Sequence, residues 1–220
     1  MSVIDRLVRE ARRRAAAFRG GQPAAPSLRV AVLTCMDARI DPAKLFGLAP
    51  GEAHVLRNAG GAVTADVRRS LVISQRLLGT RAIAVVRHTG CGMLGLDEAL
   101  RDDLAAEVGE HADWQVHGFA DLEGDLRAAL AELRADRFLL HTDQIRGFVY
   151  DVEHTGRLTE VTEVTEDGGV TGDGGVTGDG GVTGDGGVTG DGGVSGQAEV
   201  SGRVEVADGG DADGLARGAA

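Results

Sequence analysis

Two short aliphatic runs constrain this chain more than anything else in it. Leu28-Arg29-Val30-Ala31-Val32-Leu33 ends in Cys35-Met36-Asp37-Ala38-Arg39, and Ala82-Ile83-Ala84-Val85-Val86 ends in His88-Thr89-Gly90-Cys91-Gly92. Runs of this length, rich in Val and Ile and closed by polar residues and glycine, read as strands buried on both faces, the pattern of a parallel sheet. Parallel strands need helical crossovers, and ligands of an open α/β sheet collect beyond the carboxyl ends of its strands. Both cysteines and one histidine of the chain fall at such ends.

Those residue types limit the chemistry. Two thiolates and an imidazole form a donor set suited to Zn²⁺ in tetrahedral geometry, and three protein ligands leave a fourth position open, as catalytic zinc sites do. Asp37 stands two residues after Cys35, within reach of that position, and Arg39 is placed to hold its carboxylate in a bidentate pair. Taken singly, a buried Cys is more often a small hydrophobe and a His beside an apolar run a hydrogen-bonded core residue. The joint spacing favours ligands.

Cys35-Met36-Asp37-Ala38-Arg39 together with His88-x-x-Cys91-Gly92 resembles the signature of the β-class carbonic anhydrases. Arg57-Asn58-Ala59-Gly60 and Gly147-Phe148-Val149-Tyr150-Asp151-Val152, followed by Thr155-Gly156 and Leu158, resemble further segments of that family, in order, over residues 1–164. Ala38 replaces the Ser often found there, a change that leaves the ligands intact. The resemblance implies a mixed, largely parallel sheet flanked by helices, and zinc on Cys35, His88 and Cys91. It implies an Asp37–Arg39 dyad that gates the fourth position, with Asp37 on the metal only in a closed state. The implied reaction is reversible hydration of CO2 to bicarbonate and a proton by zinc-activated water, in a homodimer or higher homo-oligomer. Three other readings are weighed beside it: hydrolysis of CS2 or COS on the same fold, a non-catalytic zinc module, and a Cys35–Cys91 redox pair. Neither of the last two needs Asp37 and Arg39.

Charge divides the chain. From Glu160 onward lie thirteen acidic and two basic residues, which account for the whole formal net charge of −11. The preceding part carries 21 of each sign, every aromatic residue and all four prolines. A neutral body gives no electrostatic reason to bind nucleic acid or anionic membrane. We therefore expect a catalytic domain over 1–164. Over 165–220 we expect a tail in which Val-Thr-Gly-Asp-Gly-Gly recurs, and which has too much glycine and too little apolar bulk to order. A β-solenoid and loose Ca²⁺ binding are the weaker readings of the repeat. Two cysteines kept for metal suit a reducing cytoplasm.

The remaining elements follow in order. Ser2 and Asp5 form a capping box for a helix to about Phe18, with Val3, Ile4, Leu7, Val8, Ala11, Ala15 and Phe18 on one face; the family resemblance implies that this face packs on a second subunit. Asp41-Pro42 opens a short helix ending near Gly47, and Ala53 to Leu56 reads as a strand. Thr64 caps a helix that turns Val67, Leu71, Leu77 and Leu78 inward. A helix is expected over Leu96 to Val108. Another opens at Asp121, with a stripe of Leu122, Leu126, Ala129, Leu130 and Leu133. Arg146 to Val152 and Leu158 to Val164 complete the strands. Outside the motifs, His54, His111, His117, His141 and His154 are expected in packing or surface roles, and Tyr150 and Trp114 in the core or an interface.

Overall fold

A computed structural model of the protein describes residues 2–162. The elements run α1 (Val3–Ala15), β1 (Val30–Cys35), α2 (Pro42–Phe46), β2 (Ala53–Asn58), a 3-10 turn (Ala59–Gly61), α3 (Ala65–Arg76), β3 (Ala82–His88), α4 (Ala99–Val108), α5 (Leu122–Ala135), β4 (Ile145–Tyr150) and β5 (Leu158–Val161). They build one five-stranded sheet in the order β2-β1-β3-β4-β5, with the first four strands parallel and β5 antiparallel to β4. This is the mixed, largely parallel sheet expected from the sequence.

Register sets the site. Cys35 pairs with Asn58 and His88 with Tyr150, so the carboxyl ends of β1, β2, β3 and β4 meet along one edge. The core lies on the face covered by α3 and α5. Ala31 and Leu33 from β1, with Ile83 and Val85 from β3, meet Val67 and Leu71 of α3 and Leu126, Leu130 and Leu133 of α5. At Gly147 of β4, a Cβ would stand 2.7 Å from Leu130 Cδ1, so a larger residue would make the leucines of α5 shift. On the opposite face, Val30, Val32, Ala84 and Phe148 line a groove of about 560 Å³.

Local signals behave as their chemistry dictates. The Ser2–Asp5 capping box forms in both directions, at 3.0 and 2.8 Å, although none of the residues of α1 is buried. Asp41, Thr64 and Asp121 each accept a backbone N–H of the helix they open.

Three expectations shift. Leu77 is exposed, because it caps α3 and lies well off the Val67–Leu71 stripe; Ser74 and Gln75 are buried at that place instead. Ser74 is satisfied by Thr80 at 2.8 Å and His54 Nδ1 at 2.7 Å, and Gln75 by the backbone of Leu140 and His141. The helix expected from Leu96 begins at Ala99. β4 stops at Tyr150 because the chain turns at Asp151. The expected tail over 165–220 and the boundary before it lie outside the described residues.

Candidate metal centre

β1 delivers Cys35, β3 delivers His88, and the tight loop after β3 delivers Cys91. All three are buried, and their donor atoms lie within 4.8 Å of one another. The loop closes because Gly90 takes φ +57°, a left-handed conformation favourable to glycine. A side chain there would also meet the Glu153 carboxylate, 2.5 Å from an added Cβ.

The tautomer of His88 is fixed. Nδ1 lies 2.9 Å from the Thr89 carbonyl, so it carries the proton and donates, leaving the Nε2 lone pair toward the cysteines. Nε2 is buried and has no hydrogen-bond partner. Burial lowers the pKa of His88 and favours the neutral ring a metal requires. Burial likewise pushes the Cys91 thiol up, with the neighbouring Cys35 adding to it. A divalent cation among these atoms would reverse that preference and bind both sulfurs as thiolates. An orphaned imidazole nitrogen between two thiols fits Zn²⁺.

Asp37 and Arg39 form the expected pair. Arg39 donates from Nε to Asp37 Oδ1 at 3.0 Å and from Nη2 to Oδ2 at 2.7 Å, and its backbone N–H adds a third bond at 2.9 Å. These bonds hold the Asp37 carboxyl well below the usual carboxylate range. Asp37 Oδ2 stands 3.9 Å from His88 Nε2. Arg39 Nη2 also donates to the Gly90 carbonyl at 2.8 Å, tying the dyad to the loop that carries Cys91.

Arg57 and Asp151, named in the sequence only as parts of family-like segments, and Arg87, not singled out there, make contacts that no sequence signal specified. Arg57 donates to the carbonyls of Cys35 at 2.9 Å and Asp37 at 2.8 Å, which splints the first motif onto β2. Arg87, next to His88 and 3% exposed, pairs with Asp125 at 2.7 Å and donates to the carbonyls of Gly60 and Gly61. Asp151 accepts the Thr89 hydroxyl at 3.2 Å. The advance signals were the family-like segments that carry Arg57 and Asp151 and, for Arg87, a charged residue flanking a ligand; neither kind specifies a partner. Trp114, expected in core or interface, is half exposed and lines a groove of about 660 Å³ with Arg87 and Asp125. Of the motif-free histidines, His54 is held in the Ser74 network, and the ring nitrogens of His111 and His154 lie near Asp102 and Asp151.

A family model described as "Carbonic anhydrase" matches residues 30–124. Beta-carbonic anhydrase 1 of Mycobacterium tuberculosis is 45% identical over 149 residues, 67% of this chain and 91% of that protein. A carbon disulfide hydrolase of Acidianus is 50% identical, but over 66 residues, 30% of this chain and 32% of that protein. The carbonic anhydrase structure from Streptococcus mutans superposes with a TM-score of 0.68 at 39% identity, covering 74% of this chain and 99% of that one. With the sheet, the donor cluster and a relative matched over nearly its full length, the chain belongs to the β-carbonic anhydrase family.

Proposed function

We propose that this chain is a carbonic anhydrase that hydrates CO2 reversibly to bicarbonate and a proton, using one Zn²⁺ per subunit held by Cys35, His88 and Cys91. The observation that carries the reading is the buried, unpartnered Nε2 of His88 facing two thiols, with an ionised carboxylate beside it. When bound, the metal supplies the Lewis acidity that makes water a competent nucleophile near neutral pH.

The chain's own residues orient the reaction. Asp37, kept anionic by Arg39, accepts a hydrogen bond from the attacking water and directs its lone pair at CO2. Arg39 also keeps that carboxylate from the fourth metal position. Because Asp37 Oδ2 is 3.9 Å from His88 Nε2, loss of the pair would bring the carboxylate among the donors and close the site. A metal held here would lower the pKa of its water toward neutrality, so activity should rise with pH as that water loses its proton.

A homodimer or higher homo-oligomer is the working form. Val3, Ile4, Leu7 and Val8 of α1 form one exposed apolar face, a surface that a second copy of the chain would cover. Cys35 and Cys91 are both free, which suits the cytoplasm. No helix among the described residues is long and apolar enough to cross a membrane.

Stopped-flow CO2 hydration on zinc-assayed protein tests the reading, with wild type beside Cys35→Ala and Asp37→Ala. The wild type should accelerate hydration, Cys35→Ala should lose zinc and activity together, and Asp37→Ala should keep zinc while losing most of its rate. Stoichiometric zinc without hydration would overturn the assignment. If that protein released sulfide from CS2, the similarity to the Acidianus hydrolase would name the activity instead.

A further inference from the structure

The turn between β4 and β5 lies outside the donor cluster, yet its hydrogen bonds converge on one residue of the metal loop. Every polar group of Thr89 is engaged. Its N–H donates to the Tyr150 carbonyl at 3.1 Å. Its carbonyl accepts the proton of His88 Nδ1 at 2.9 Å. Its hydroxyl donates to Asp151 Oδ1 at 3.2 Å and accepts the Val152 N–H at 3.2 Å. The peptide that sets the tautomer and orientation of His88 is thereby pinned to a segment more than sixty residues away.

Asp151 is itself held. Oδ1 also accepts the backbone N–H groups of Glu153 at 3.1 Å and His154 at 3.0 Å, while Oδ2 accepts the Thr155 N–H at 2.9 Å and the Thr155 hydroxyl at 2.7 Å. These bonds, the Thr155 hydroxyl foremost, keep the carboxyl well below its ordinary range, so it is an ionised acceptor at working pH. The same turn packs Glu153 against Gly90, whose carbonyl receives Arg39.

We propose that Asp151 is a positioning residue for the metal ligand His88, acting through the Thr89 hydroxyl, and that the β4–β5 turn thereby sets how tightly the centre holds zinc. The inference rests on the zinc reading above. Outer partners of a ligating histidine fix its ring and tune its basicity, and their loss typically costs about 10–100-fold in metal affinity or activity. Thr89→Val removes only the hydroxyl link and keeps the shape of the side chain, whereas Asp151→Ala also frees the turn.

Zinc transfer to a chromogenic chelator, measured on the full chain, tests this. Wild-type zinc content is assayed first, and its absence would refute the metal reading rather than this inference. Given zinc in the wild type, Thr89→Val and Asp151→Ala should each weaken binding by about 3–10-fold, below the about 10–100-fold that follows loss of a group bonded to the ligand itself, because the Thr89 carbonyl remains on His88. Thr89→Ser should bind as the wild type does. The Thr89→Val/Asp151→Ala double variant should be no weaker than Asp151→Ala, because both changes cut one link. The Co²⁺-substituted Thr89→Val protein should show a shifted visible ligand-field spectrum, which a loss of stability alone would not give. Wild-type zinc affinity in Thr89→Val, or fully additive losses in the double variant, would overturn the proposal.

Discussion

Asp125→Ala exposes how strongly the fold depends on a cation buried beside the metal centre. Arg87 is 3% exposed and sits one residue before His88, with its charge balanced by Asp125 at 2.7 Å. Removing one partner of a buried ion pair costs about 3–5 kcal/mol, because the other charge stays uncompensated in a poorly solvated place. Two features reduce this. The Asp125 side chain is 30% exposed to the groove, so water recovers part of the loss, and the Gly60 and Gly61 carbonyls remain on the guanidinium. A destabilisation of about 2–3 kcal/mol is expected. For a chain of this size that lowers Tm by about 4–12 °C. Urea denaturation should show a lower midpoint at an unchanged slope. The double variant Arg87→Met/Asp125→Ala should be milder than Asp125→Ala alone, since it leaves no orphaned charge. A change below about 0.5 kcal/mol in Asp125→Ala, typical of an ordinary surface site, would show that groove water already solvates Arg87 and would refute the reasoning.

Gly61 has φ +66°, and an added Cβ would lie 2.8 Å from the Thr34 carbonyl carbon and 3.0 Å from the Cys35 nitrogen. Gly61→Ala should therefore cost more than the ~1–2 kcal/mol of the left-handed conformation alone and loosen zinc, which urea melts and metal content would show. Arg39→Ala should lower kcat/KM about 10–100-fold, the rate equivalent of losing ~1.4–3 kcal/mol of charge-assisted hydrogen bonding. Arg39→Lys should fail to restore it, for want of a two-pronged donor; full activity in the Lys variant would argue against the bidentate role. Stability should fall on acidification. Asp37, Asp151 and Glu160 have pKa values depressed by hydrogen bonds from Arg39, Thr155 and Arg146. Their contribution is complete above the unfolded carboxylate values of about 4 and is lost as pH falls through the folded ones. Denaturation midpoints flat from pH 6 to pH 3 would contradict this.

The parallel sheet and the donor triad were legible in the sequence for one physical reason. A strand buried on both faces must be continuously apolar, so the points where β1 and β3 turn polar mark the sheet edge and what stands on it. The capping residues Ser2, Asp41, Thr64 and Asp121 were legible because they act on neighbours three or fewer residues away. What stayed hidden is polar and long-range. Nothing local shows that Arg87 is buried, that Arg57 reaches back to the carbonyls of Cys35 and Asp37, or that Thr89 meets Asp151. Each depends on a crossover that brings distant segments together. The misplacement of Leu77 has the same root: hydropathy favoured a leucine where helical geometry places Ser74 and Gln75, whose partners come from Thr80, His54 and the segment after α5.

Zinc K-edge X-ray absorption on the purified, full-length protein addresses the central claim most directly. The account predicts one zinc per chain with two sulfur ligands near ~2.3 Å and one nitrogen near ~2.0–2.1 Å. The fourth ligand should be a light atom, and one sulfur should be lost in Cys35→Ala. Folded protein that holds no zinc and takes none up, or zinc with no sulfur in its shell, would contradict it.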